Sequence, residues 1–254
     1  MKSMIDLVRT EWKKIFLPVL LTTVTLAIAM SVLSCTVYQS YALQYDLEAW
    51  EVGTELFSLL YPLFVVVPLC WNLYYERKNN FLLYVMPRVA IRKYLTAKWI
   101  AYGLGALCII VIPYVMSAVF ALYVKPPVVP FTENLFYHIF QTTFIETPLL
   151  YAVILSCWRG VVSLLVMTFG FVLALYCKNI FVILTGPFMY SILENFVLSI
   201  LRLECYRLVV SFDPTTINSQ AVTILSFITG PLILGVMICV TAFLFSKKNA
   251  VVTI

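Results

Sequence analysis

This sequence is short of charge. Only 11% of its 254 residues are Asp, Glu, Lys or Arg, while 63% are hydrophobic. A soluble domain carries about 25% charged and about 45–50% apolar residues. An ordinary soluble enzyme, a nucleic-acid binder and a disordered chain are therefore excluded, and no nucleic-acid partner is expected. Histidine is scarcer still. His138 stands alone, so the H-E-x-x-H zinc motif cannot form. None of the eight glycines is followed by Lys, which removes the phosphate-cradling G-x-x-x-x-G-K-[ST] loop and ATP hydrolysis by that route. Seven cysteines are present without a C-x-x-C pair, so they read as small apolar residues of membrane helices. No catalytic residue, no metal site and no cofactor in this chain are expected. His138 reads as an interfacial polar residue.

What the chain does have is long apolar runs. They cover residues 16–37, 56–75, 99–124, 160–176, 180–201 and 221–246. A membrane-crossing helix needs about 20 apolar residues, so the predicted fold is all-α: one polytopic membrane domain, 1–254, with six transmembrane helices. The fourth run ends at Tyr176 and starts somewhere between Thr147 and Gly160. The piece 147–158 reads as a helix in the outer interface or as the bent start of span four, with Pro148 at the bend and Arg159 between the two pieces. An N-terminal leader is not expected to be cleaved, because Asp6 and Glu11 precede an apolar run too long for one.

Charge sets the orientation. With a cytoplasmic N-terminus and six spans, 13 of the 17 basic residues fall inside. Outside remain Lys125, Arg159, Arg202 and Arg207. Cytoplasmic segments carry the excess of Lys and Arg, so both termini are expected in the cytoplasm, 76–98 is a cytoplasmic segment, and 125–159 and 202–220 are extracellular elements.

Three features point to function. Residues 1–16 place Met4, Ile5, Val8, Trp12, Ile15 and Phe16 on one helical face and Lys2, Asp6, Arg9 and Lys13 on the other, the pattern of an amphipathic elbow helix, 1–15, lying on the membrane. Span two repeats aromatic residues at helical spacing, Phe57, Tyr61, Phe64, Trp71 and Tyr75, which suits either packing or the wall of a cavity for an amphipathic substrate. Span five holds Ser191, Glu194, Asn195 and Ser199 on one face. Glu194 reads as the one ionisable residue well inside a span, where bare charge costs at least about 2.5 kcal/mol. This stripe suits a conduction path, a two-fold seam between copies, or a plain polar helix contact. Between spans two and three, Glu76-Arg77-Lys78-Asn79-Asn80-Phe81-Leu82-Leu83-Tyr84-Val85-Met86-Pro87-Arg88 exposes a short apolar stretch on the cytoplasmic side, and such a patch marks a partner site.

An amphipathic elbow, a pair of spans, Glu76-Arg77-Lys78, Pro87-Arg88, Arg92-Lys93-Tyr94 and Ala97-Lys98 together resemble the permease subunit of ABC-2 type transporters. The six-span count and the short Lys178-Asn179 turn extend the likeness along the whole chain. The resemblance implies that Asn79–Met86 form a coupling helix docked on a separate ATPase, opened by Glu76 and closed by Pro87, with Lys93 and Lys98 leading into span three. It implies two ATPase subunits that bind ATP and Mg, a second permease copy in a homodimer or a similar permease in a heterodimer, and the bacterial plasma membrane. Members of this compact size resemble lantibiotic-immunity permeases and exporters of amphipathic peptide toxins. Exporters of lipid-linked glycans or small drugs share the fold. A stand-alone secondary transporter would show inverted repeats or several buried charges.

Overall fold

The computed structural model describes residues 3–85, 87, 89–130, 138–216 and 222–248. In chain order the helices are α1 (Met4–Thr36), α2 (Glu48–Lys78), α3 (Phe81–Val85), α4 (Ile91–Tyr123), α5 (Gln141–Glu146), α6 (Pro148–Tyr176), α7 (Ile180–Ile200), α8 (Leu208–Phe212) and α9 (Ile224–Lys248), with no strand among the described residues. Six of them, α1, α2, α4, α6, α7 and α9, are long and apolar enough to cross a membrane, so this is a multi-pass membrane protein. Their alternation puts the start of α1, helix α3, the α6–α7 turn and the end of α9 at one end of the bundle, the foot. The connections after α1, α4 and α7 lie at the other end, the head.

Local chemistry sets the helix ends. Ser3 caps α1: its hydroxyl accepts from the Asp6 N–H while the Asp6 carboxylate accepts from the Ser3 N–H, a reciprocal capping box. Asn179 accepts from the Phe181 N–H and caps α7. Pro148 opens α6, where its missing N–H has no helical partner to lose. The end of α7 is a Schellman turn. Arg202 takes the left-handed region (φ 57°), its N–H bonds the Ser199 carbonyl, and the Leu203 N–H bonds Leu198. That turn sends the chain back into the bundle.

Two expected boundaries are corrected. No break separates an elbow over residues 1–15 from span one: residues 4–36 form one helix. Its buried face is Leu7, Glu11, Ile15 and Val19, whereas Ile5 and Phe16 are exposed. The reason is Glu11, which is drawn onto cations of α4 and of its own helix. Span four takes the longer of the two extents read for it, with 147–158 as its start and not a separate interfacial helix. It begins at Pro148, and Arg159 sits inside it rather than outside the membrane domain.

Helices α1, α2, α4 and α6 make the core. Helix α1 lies along α4, α4 packs on α6, and α2 crosses between α1, α6 and α7. At Gly53 of α2 an added Cβ would stand 2.5 Å from the Ser34 Cα, so there α1 and α2 touch backbone to backbone. Helices α7 and α9 flank the core and expose Phe181, Leu193, Phe196 and Ile200, Leu232 and Phe243. The segment after α7, expected to be an extracellular element, is re-entrant in the sense that it folds back into the bundle. Every residue of α8, with Asp213 and Pro214 after it, is buried. Gly230 of α9 makes room for it, since a Cβ there would stand 2.9 Å from the Leu208 Cα.

Candidate functional site

At the foot, four charges meet. Lys98 of α4 lies 2.8 Å from Glu11 of α1 and 2.5 Å from Glu76 of α2, and Lys14 lies 2.6 Å and 3.0 Å from the same two carboxylates. The Tyr94 hydroxyl donates within 3.2 Å of Glu11 and 2.9 Å of Glu76. All four carboxylate oxygens are partnered and the charges cancel. Buried ions survive only when paired and hydrogen-bonded in this way. Glu76, expected to open a coupling segment, is thus the acid that fastens the end of α2.

Helix α3 hangs from this cluster. Asn80 takes the left-handed region (φ 56°) that Asn tolerates, and its N–H bonds the Arg77 carbonyl, ending α2. Phe81 and Tyr84 are exposed, 40% and 74%, and the Lys14 ammonium lies 5.2 Å from the centre of the Phe81 ring. Asn79, Asn80 and Pro87 are exposed and Val85 is half-buried. Met86 and Arg88 lie outside the described residues, and so do the side chains of Leu82 and Leu83. Arg77 donates to the Cys177 carbonyl, tying this corner to the α6–α7 turn.

At the head, a second cluster is built around the re-entrant segment. Arg159 of α6 is fully buried. Its Nη2 lies 3.1 Å from an Asp213 carboxylate oxygen, and its Nε donates to the Phe212 carbonyl at 3.1 Å. Its guanidinium carbon lies 4.8 Å and 4.4 Å from the centres of the Trp50 and Tyr114 rings, a cation–π cage. Phe212 stacks on Tyr61 with ring centres 3.9 Å apart. At about 1.5 Å per residue Tyr61 lies roughly 20 Å along α2 from Glu48, so the re-entrant segment reaches the middle of the bundle. The Trp158 indole N–H bonds the Ser211 carbonyl, the Ser211 hydroxyl bonds the Ser226 carbonyl, and both oxygens of Glu194 accept from the Leu208 N–H at 3.0 Å.

His138 joins this cluster from the loop before α5. One ring nitrogen lies 3.2 Å from Glu48 and the other 3.5 Å from Glu51, and the ring stacks on Phe144 at 3.7 Å. Burial works against an imidazolium, but the hydrogen bonds and charges of Glu48 and Glu51 outweigh it and push His138 up to about 9. Glu48 is further held by the N–H groups of Gln44 and Tyr45. Buried polar atoms without a partner gather in the same region: a Glu51 oxygen, the Tyr61 and Tyr114 hydroxyls, Arg159 Nη1 and an Asp213 oxygen. Among the described residues no group of His, Cys, Asp or Glu is arranged to hold a metal ion.

Beside this cluster the head has an apolar groove of about 430 Å³ between the start of α6 and the start of α9, lined by Phe140, Tyr151, Ile154, Trp158, Phe227 and Ile228 among others. It is within the size of small-molecule sites.

The residues expected in a pathway are split. Phe57 and Tyr61 are buried and Phe64 is half-buried. They border a cleft against Leu26, Met30 and Tyr114 with no room for a water molecule. Trp71 is 42% exposed on the outside of the bundle. Within this chain the first half of the aromatic stripe packs, while Trp71 and Tyr75 face outward. Ser191 is buried, Asn195 and Ser199 are half-buried, and Glu194 turns to α8 of its own chain. The cause is the free N–H at the start of α8, which a carboxylate satisfies. Sequence reasoning missed Arg159, Asp213, Glu48, Glu51 and His138 as a group. The available signal was an acid pair at helical spacing, 48 and 51, together with an Arg inside a stretch, 148–176, that no proline interrupts after its first residue. No protein-family model, curated protein or solved structure matches the chain.

Proposed function

We propose that this chain is the membrane subunit of an ATP-driven exporter, working with a second permease copy and two separate ATPase subunits that carry ATP and Mg. The observation that supports this reading best is helix α3: a short exposed apolar helix between the second and third spans, fastened through Lys14 and Glu76 to α1, α2 and α4. A push on Phe81 would reach three spans through ion pairs rather than through a loop. With Arg159 inside a span, the head connections keep only Lys125, Arg202 and Arg207 as basic residues, which favours a cytoplasmic foot and cytoplasmic termini. The apolar groove at the head suits an amphipathic peptide better than a lipid-linked glycan or a small polar drug.

The test is co-purification with an ABC ATPase encoded beside this chain, and its ATP turnover. Phe81→Asp with Tyr84→Asp should abolish ATPase binding while the permease still purifies folded. If the double variant binds the ATPase and supports the same turnover, α3 is not the coupling element. A second reading, an ion-coupled carrier working alone, draws on the buried charges at the head. Export that persists in vesicles without ATP, driven by a proton gradient, would favour it.

A further inference from the structure

The head cluster contains an imbalance that the foot cluster lacks. Glu48, Glu51 and Asp213 are each at least nine-tenths buried, and the buried cations facing them are Arg159 and, when protonated, His138. Among the described residues, the other titratable groups facing this site are phenols: Tyr61 on α2, Tyr114 on α4 and Tyr151 on α6. His138 presents both ring nitrogens to carboxylate oxygens, so both are donors only in the imidazolium form. Glu51 is the least supported acid. One of its oxygens faces His138 at 3.5 Å and the other has no partner. Arg159 still has unused N–H groups on Nη1, and Glu51 lies within its electrostatic reach.

We propose that His138, clamped between Glu48 and Glu51, is a proton-binding site at the head whose occupancy decides which carboxylate Arg159 serves. With the proton bound, Glu51 is answered by the imidazolium and Arg159 stays on Asp213, which holds α8 inside the bundle. When the proton leaves, Glu51 is a buried carboxylate without a cation, and the one uncommitted guanidinium edge near it belongs to Arg159. Drawing Arg159 toward Glu51 takes the donor from the Phe212 carbonyl and the cation from Asp213, which keeps only the Thr215 hydroxyl and N–H, both from its own turn. The re-entrant segment then loses its central clasp while Glu194 and Trp158 hold only its flanks. The ligand is a proton and the moving part is α8. The inference does not depend on an ATPase partner.

The test uses the full chain in micelles and reads backbone hydrogen exchange across 208–213, corrected for the base-catalysed chemical rate and referred to α4. In the parent, exchange should be slow at about pH 6.5 and rise roughly tenfold as pH passes the His138 midpoint of about 9. Because His138 is the only histidine, the imidazole signal of histidine-labelled protein gives that midpoint directly. His138→Gln should exchange fast at both pH values. Glu51→Gln removes the competitor for Arg159, so it should keep 208–213 protected at high pH, alone and in combination with His138→Gln. Should His138→Gln fail to fold, the parent pH series and Glu51→Gln alone still decide. Exchange in the parent that ignores the imidazole titration, or a Glu51→Gln variant that opens with pH as the parent does, overturns the proposal.

Discussion

The foot and head clusters both set buried carboxylates against cations and differ in closure. At the foot two acids face two lysines, every carboxylate oxygen has a donor, and α1, α2 and α4 are bolted together. At the head three acids face an arginine and a histidine, and unpartnered oxygens and N–H groups remain. A satisfied buried network rigidifies, while a partly satisfied one costs stability and persists where it has work to do. The comparison separates a structural joint from a site able to rearrange.

The largest expected effect breaks the head. Arg159→Ala leaves Asp213 buried without its cation and should cost about 3–5 kcal/mol in thermal or denaturant unfolding. Replacing both partners, Arg159→Leu with Asp213→Leu, should recover most of that loss. If the double variant is as unstable as the single one, the cage of rings and not the ion pair holds the segment. Next comes pH. His138 has its folded pKa raised to about 9, from about 6.5 unfolded. Its contribution is therefore complete below about pH 6.5 and is lost as pH rises through 9, on the order of 3 kcal/mol. Melting temperatures measured across that window should fall for the parent and stay level for His138→Gln. A flat parent curve would remove His138 from the head cluster.

The foot should respond less. Lys98→Ala leaves Lys14 beside both acids, so a loss of about 2 kcal/mol is expected. A larger loss in unfolding experiments would mean that Lys14 cannot cover both carboxylates. The smallest effect sharpens the comparison at the contact of α8 with α9. Gly230→Ala forces a methyl against Leu208 and the Ser211 hydroxyl and should cost about 1–2 kcal/mol, with faster hydrogen exchange in 208–213 and none of that change in α4.

The six apolar runs were legible because a span must be continuous and apolar, and each became a helix. Their ends were misplaced wherever a charge was taken as a stop. Glu11, Glu51, Lys98 and Arg159 all stand inside helices, because each finds a partner on another element of the fold. Those partners lie far off in sequence, 87 residues between Glu11 and Lys98 and 90 between Glu48 and His138, beyond what periodicity reports. The Glu194 stripe was visible, but its direction was not, since nothing local announces that residues 208–214 fold back to meet it. His138 looked like a lone surface residue because its two acids belong to a helix that starts eight residues before its apolar run, Glu48 against Leu56.

The clasp on the re-entrant segment also imposes an order on biosynthesis. Arg159 precedes Phe212, whose carbonyl it holds, by 53 residues. At a synthesis rate of about 5–20 residues per second, the guanidinium spends roughly 3–10 s in a nascent span before its acceptors exist. Trp50 and Tyr114, already made on α2 and α4, are the surfaces it can lean on during that wait. The groups that hold Arg159 in the folded protein thus become available in two stages, first the rings of the earlier spans and then the carbonyl and carboxylate of the re-entrant segment.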